Sequence, residues 1–171
     1  IRLAAKQTPA GGVDGFKVAP DGKVDTTPFL RIGPEDALTT QPIGFDQSGN
    51  TLYLLDSRER DTSALTRVDL ATGKGEVVYA DPRADVSNVL VHPTEQTLQA
   101  VSSTYLREEW KVLDPAIAGD FEALAKAAVG EFAIASRTLD DQTWIVSYLQ
   151  DAGPVTYYRY DRPARKATYL F

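Results

Sequence analysis

A chain of 171 residues, 43% of them hydrophobic, has the material for one ordinary globular core and too little for two. Its net charge of -6, with acids and bases interleaved, offers no basic stripe of the kind that phosphate neutralisation requires, which argues against a nucleic-acid partner. Cysteine is absent, so disulfides, thiolate nucleophiles and Cys-ligated zinc are excluded, and no apolar run approaches the roughly 18 residues of a membrane span.

These features suit a soluble chain with no membrane partner and leave its compartment open between periplasmic or secreted and cytoplasmic. The start at Ile1-Arg2-Leu3 and the lack of methionine point to a processed chain or an excised fragment.

An internal repeat organises the chain. Thr51-Leu52 in "GNTLYLLDSRERD" recurs as Thr97-Leu98 in "EQTLQAVSSTYLR" and as Thr143-Trp144 in "DQTWIVSYLQDAG", both intervals being 46 residues (97 − 51 and 143 − 97). A period near 45 is what four short strands and their turns consume, as in one blade of a β-propeller. The expected fold is all-β, a propeller segment of about four blades of four antiparallel strands in a single domain.

Taken in chain order, a frame shifted back by one repeat places strands over 2–7, 13–18 and 28–32, an incomplete first blade spanning about 1–33. In the second blade, about 34–80, alternating apolar runs predict strands over 42–45, 51–56, 65–69 and 76–79, with "DQSGN" and "ATGKG" supplying hairpin turns. The third, about 81–130, departs from this plan after a strand over 110–113. Asp114-Pro115 reads as an N-cap with proline at the first helical position, and helical apolar spacing then continues to Gly130, a natural C′ residue. A short helical insertion near 115–129 follows, which Gly119 threatens to split, since glycine costs about 1 kcal/mol in a helix interior. The fourth blade, about 131–171, has strands over 132–136, 143–149, 155–161 and 167–171, and its last half aligns without a gap on the second blade, Asp161 over Asp69 and Lys166 over Lys74.

The phrases "ALTTQPIGFDQSGNTLYLLDSRERDTSALTRVDLATGK", "DPRADVSNVLVHP", "REEWKVLDP" and the closing "GPVTYYRYDRPARKATYLF" resemble the propeller of prolyl-oligopeptidase-family (S9) serine peptidases. The similarity runs along nearly the whole chain and is closest to bacterial members related to acylaminoacyl and dipeptidyl peptidases. It implies a propeller followed by an α/β-hydrolase domain bearing a Ser, Asp, His triad, so that this chain would be the later part of the propeller. Its implied partners are the missing remainder of the propeller, that hydrolase domain and a peptide substrate. Open blade edges would also favour pairing with a second copy.

The catalytic machinery itself is not in the sequence. No G-x-S-x-G elbow occurs, and Ser57, Ser63, Ser102 and Ser103 lie in or beside expected strands with no credible base. The single histidine, His92, reads as a neutral side chain at a strand end, and no cofactor or metal is expected. The expected function is therefore non-catalytic: a fragment that gates substrate access and docks the hydrolase domain of a peptidase acting on short peptides. The alternative is a free-standing protein- or peptide-binding scaffold.

Two clusters are candidates for contact with substrate or between blades. The charge knot Asp56, Arg58, Glu59, Arg60, Asp61 reads as a solvated hairpin tip, as an interblade clasp made by the planar donor fork of Arg58 or Arg60, or as a substrate-facing patch. Tyr105, Arg107, Glu108, Glu109 and Trp110 read either as a patch facing the cavity or the hydrolase domain, or as interblade packing centred on Trp110. Tyr157, Tyr158 and Tyr160 fit sheet packing, and Arg159, Arg162, Arg165 and Lys166 are too few for a nucleic-acid site.

Overall fold

A computed structural model describes residues 2–171. The chain forms two compact units, one ending at Ser87 and the other running from Asn88 to Phe171.

The first unit holds two antiparallel sheets. β1 (Leu3–Gln7), β2 (Val13–Lys17) and β3 (Leu30–Ile32) make a three-stranded meander, and β4 (Gln41–Phe45), β5 (Thr51–Asp56), β6 (Ala64–Asp69) and β7 (Gly75–Tyr79) a four-stranded one in chain order. β5 suits an inner position because its residues can be covered on both faces: Leu52 and Leu54 are fully buried in a cluster with Leu30, Ile32 and Val68, while Tyr53 and Leu55 are buried on the opposite face.

The third meander is β8 (Val86–Val91), β9 (Leu98–Thr104) and β10 (Glu108–Val112), with β8 starting in the last two residues of the first unit. Where a fourth strand is expected by the repeat, a 3-10 turn (Pro115–Ile117) and the helix α1 (Ala118–Ala127) follow instead. The Asp114 carboxylate accepts the Ala116 amide at 2.9 Å and Pro115 opens the turn, as the sequence predicts. Gly119 falls in the first turn of α1 and does not break it. The absent Cβ makes room for the Arg165 guanidinium, whose Nη2 would lie 2.6 Å from it. Gly130 has a different role from the expected helix stop. The helix ends at Ala127, and Gly130, at φ 113, lets the chain pass the Leu149 carbonyl, which a Cβ would meet at 2.3 Å.

The fourth meander comprises β11 (Glu131–Arg137), β12 (Thr143–Leu149), β13 (Thr156–Asp161) and β14 (Lys166–Tyr169), and burial alternates along β12. Trp144, Val146 and Tyr148 point inward and are fully buried. They meet Ile117, Phe121 and Leu124 of the helical stretch, with Trp110 and Phe132 packed alongside. Phe121 is edge-on to Trp110 at 5.6 Å, to Phe132 at 5.4 Å and to Trp144 at 6.4 Å, the favoured geometry for aromatic quadrupoles. Tyr148 donates its hydroxyl to the Leu124 carbonyl at 2.7 Å, and burial holds its pKa up at about 12.

The 46-residue repeat extends to backbone detail. Thr51 pairs with Asp69 and Thr143 with Asp161, and each first strand carries a bulge at the same place, Ile43 and Ala135, two repeats apart (135 − 43 = 92). The left-handed turn positions correspond too: Gly49 with Asp141 and Gly73 with Arg165. Glycine serves at these positions in the second meander. In the fourth, a side chain stands there at the cost of left-handed backbone.

Candidate functional site

The turn joining β5 to β6 gathers the charge knot. Asp56, buried at the strand end, accepts Arg58 Nε and Nη2, both at 2.8 Å, as a bidentate pair, and Arg58 Nη1 reaches the Arg31 carbonyl on β3 at 3.4 Å. That is the geometry of a clasp between two adjacent sheets of the first unit. Asp81 and Arg83 repeat the same fork, at 3.1 and 2.9 Å. Arg60 and Asp61 are exposed at the tip, where the Arg60 amide donates to the Ser57 carbonyl at 3.2 Å.

Burial pushes the Asp56 carboxyl up, and the hydrogen bonds and charge of Arg58 together outweigh it, holding the group below its ordinary 3.8. A carboxyl with a depressed folded-state pKa contributes stability that is fully present above its unfolded value and is lost as pH falls through the folded one. Asp56→Asn should therefore cost about 1 kcal/mol at pH 7, the value for a partly exposed pair. The gap to the unsubstituted protein should close only below pH 3.8. Urea midpoints taken from pH 7 down to 2.5 check this, and a gap that closes near neutral pH contradicts it.

The second cluster lies in the β9–β10 hairpin. Arg107, at its tip, donates to Glu131 Oε1 at 3.0 Å and to Asp151 Oδ2 at 2.7 Å, tying this hairpin to β11 and to the β12–β13 turn. The hydrogen bonds to Asp151, then those to Glu131, raise the guanidinium pKa further, and Arg107 in turn lowers that of Asp151. Trp110 donates its indole N–H to the Phe132 carbonyl at 3.3 Å and stacks on the Phe132 ring at 6.4 Å. Its place is therefore between two sheets of the second unit. Tyr105 is exposed beside Arg107 in the same turn.

Ser57, Ser63 and Ser102 are each hydrogen-bonded to structural partners. Ser57 Oγ lies 2.7 Å from Thr39 Oγ1 and 2.9 Å from Thr40 Oγ1 and donates to Asp36 at 2.8 Å; Ser63 Oγ donates to the Thr39 carbonyl and Ser102 Oγ to Glu108. His92 uses both ring nitrogens elsewhere: Nδ1 accepts the Glu95 amide at 3.0 Å, and Nε2 lies 3.8 Å from Asp141 Oδ2.

Asp141 belongs to a network that sequence reasoning missed. At 1% side-chain exposure its carboxylate accepts Trp144 Nε1 at 2.7 Å, Arg137 Nη1 at 3.1 Å and Arg162 Nη1 at 2.6 Å. Arg162 also pairs with buried Asp120 of α1 at 2.9 Å, and Tyr160 donates its hydroxyl to the same carboxylate. Arg137 donates to Gln99 and to the Val91 carbonyl. Its pKa is lowered, by burial first and by the Arg162 charge, against the pull of Asp141. One signal was available: Asp141 occupies the turn position that holds glycine two repeats earlier.

No protein-family model matches the chain. It is 46% identical over its full length to dipeptidyl aminopeptidase BIII of Pseudoxanthomonas mexicana and 31% identical, over 98% of its length, to dipeptidyl peptidase family member 6 of Caenorhabditis elegans. It spans about a quarter of the length of these relatives, 24% in each case. Among solved structures, TolB of Acinetobacter baumannii superposes over 98% of this chain and 40% of its own, with a TM-score of 0.55 at 14% identity, a likeness of fold alone. The chain is a β-propeller segment homologous to about a quarter of the length of each of these two dipeptidyl peptidase relatives.

Proposed function

We propose that this chain is the non-catalytic propeller segment of an S9 serine peptidase that hydrolyses short peptides, where it restricts access and docks an α/β-hydrolase domain. The observation that carries the reading is 46% identity along the whole chain to one quarter of a dipeptidyl aminopeptidase. The chemistry agrees with it. Acyl transfer needs a serine beside a general base and donors for an oxyanion, and Ser57, Ser63 and His92 are committed to structural partners. In this role Arg60 and Asp61, exposed on the β5–β6 tip, are the groups to meet a peptide terminus. Arg58, Arg107 and Trp110 hold sheets together.

The 171-residue chain is expected to turn over no dipeptidyl or acyl-peptide chromogenic substrate. The full-length gene product is expected to do so and to lose that activity to a serine-directed fluorophosphonate. Turnover that stays with the repurified chain, or a full-length protein inert towards both substrates and the fluorophosphonate, ends this reading. A full-length protein that binds peptides without cleaving them supports the scaffold function instead.

A further inference from the structure

Two cations of the first unit rest on neutral acceptors, in a chain whose net charge is -6. A cleft of about 360 Å³ opens between the β1–β3 meander and the β4–β7 sheet, with Arg2, Lys17, Asp25 and Asn50 among its lining, a size that suits a small ligand. Arg2 donates to the Gly49 carbonyl at 3.0 Å and to the Ser48 carbonyl at 3.5 Å. Lys17 donates to the Leu70 carbonyl and stands 5.6 Å from the centre of the Phe29 ring. Among the described residues neither side chain has a carboxylate partner. Each carbonyl occupies one N–H at a time, so both cations keep donors to spare.

The repeat gives the reason. The turn after β4 corresponds to the turn after β11, and Gly49 stands in the first where Asp141 stands in the second. Asp141 supplies the carboxylate that neutralises Arg137 and Arg162. Gly49 supplies none, and the room left by its missing side chain is taken by the Arg2 guanidinium, whose Cζ would lie 2.4 Å from a Cβ there. The acids nearby in sequence are turned to other work. Asp46 accepts the Ser48 hydroxyl and the Asn50 and Thr51 amides, and Asp69 accepts the Thr72 amide and hydroxyl. Asp25 alone of the acids lines the cleft, which leaves the two cations in excess of it.

We propose that this cleft binds a small oxyanion, a phosphate or carboxylate group, through the guanidinium of Arg2 and the ammonium of Lys17, with the Asn50 amide at its rim. Charge-assisted hydrogen bonds to such a group are stronger than those the two cations make to carbonyls. The bound anion joins the first meander to the second sheet, as the Asp141 carboxylate joins β11, β12 and the turn after β13 from within the chain. The site uses no catalytic group and stands apart from the peptidase reading.

Titration of the full-length gene product with sodium phosphate, at an ionic strength held constant with sodium chloride, tests it. The readout is trace labelling of lysine amines by a succinimidyl ester, followed by peptide mapping. Labelling of Lys17 is expected to fall about fivefold or more as phosphate saturates, as mass action requires for an amine covered in the bound form. Lys6, exposed on β1, should keep its reactivity. Arg2→Gln should raise the phosphate concentration for half-protection about tenfold or more, the worth of one charge-assisted hydrogen bond. Asp25→Asn takes the acid out of the cleft and should lower that concentration about two- to fivefold, the scale of one exposed charge interaction. A purely structural role for the two cations predicts no such tightening. Acetate in place of phosphate distinguishes the sources: protection by both anions shows that the site takes carboxylates, and protection by phosphate alone assigns it to phosphate groups.

Lys17 labelling that neither anion changes overturns the proposal, and so does equal slowing at Lys6, which marks a general salt effect. Protection that survives Arg2→Gln undiminished places the anion elsewhere and overturns it too. A Lys17 already unreactive before any anion is added is covered by another part of the protein, with the same consequence.

Discussion

Replacing Asp141 with alanine is expected to destabilise the protein by about 3 to 5 kcal/mol, the penalty for breaking a buried pair and leaving its partner charged. The carboxylate collects donors from three elements: Arg137 at the end of β11, Trp144 on β12 and Arg162 after β13. Arg162 keeps Asp120 if Asp141 is lost, but Arg137, at 10% side-chain exposure, would retain only neutral acceptors at Gln99 and Val91. Burial already lowers the pKa of Arg137.

Two further substitutions separate charge from backbone. Asp141 sits at φ 55, where a Cβ costs about 1 kcal/mol or more, so Asp141→Gly should be milder than Asp141→Ala by about that amount while remaining clearly destabilising. Asp141→Asn keeps an acceptor and tolerance of the left-handed region but loses the charge, and should fall between the unsubstituted protein and the alanine variant. Both tryptophans, Trp110 and Trp144, lie in the second unit, so urea unfolding followed by their fluorescence reads this region directly. A loss below about 1 kcal/mol for Asp141→Ala would show the network to be solvated and the argument from burial to be mistaken.

Trp144→Ala is expected to cost about 3 to 5 kcal/mol, the range for removing a large aromatic side chain from a core. The ring is fully buried, 6.4 Å from Phe121 and 5.8 Å from Tyr160, with the Arg162 guanidinium 4.8 Å above it. Three contributions vanish together: apolar burial, the aromatic and cation–π contacts, and the indole N–H bond to Asp141. Trp144→Phe keeps most of the first two and should cost about 1 to 3 kcal/mol, chiefly for the lost donor. Because Trp144 and Asp141 share a hydrogen bond, the double alanine variant should cost less than the two losses added, by about 0.5 kcal/mol or more. Additive losses would show that the indole N–H contributes nothing through Asp141.

The fold was legible in the sequence to a degree that few motifs permit, because it repeats. Strands over 51–56 and 143–149 fall where the alternation of apolar residues puts them, and the helix after Asp114-Pro115 appears with its cap. A period-2 pattern and turn residues such as Gly49 and Gly73 act locally, through sterics and side-chain direction, so they can be read without neighbours. The structural part of the candidate site was half legible. The expected clasp had Arg58 or Arg60 reach a neighbouring blade; the Arg58 fork closes instead on Asp56, two residues away, and only its Nη1 reaches the Arg31 carbonyl. Trp110 packs between sheets, one of its two expected roles.

The ion network was not legible, since Arg137, Asp141 and Arg162 come together only through sheet register, and Asp120 only because α1 replaces a strand. The run from Arg159 to Lys166 reads in the sequence only as too few charges for a nucleic-acid site. Register buries Arg162 at its centre and lays Arg165 across Gly119. The cleft lined by Arg2, Lys17 and Asn50 is of the same kind: separate segments of the sequence that the packing of sheets alone makes contiguous. Local conformational preference was thus determined by the sequence by itself, together with the repeat that names the architecture. Which charges are desolvated, and which cations share one cleft, was decided by long-range pairing. Both depend on distance in space, and a one-dimensional pattern carries that only where it repeats.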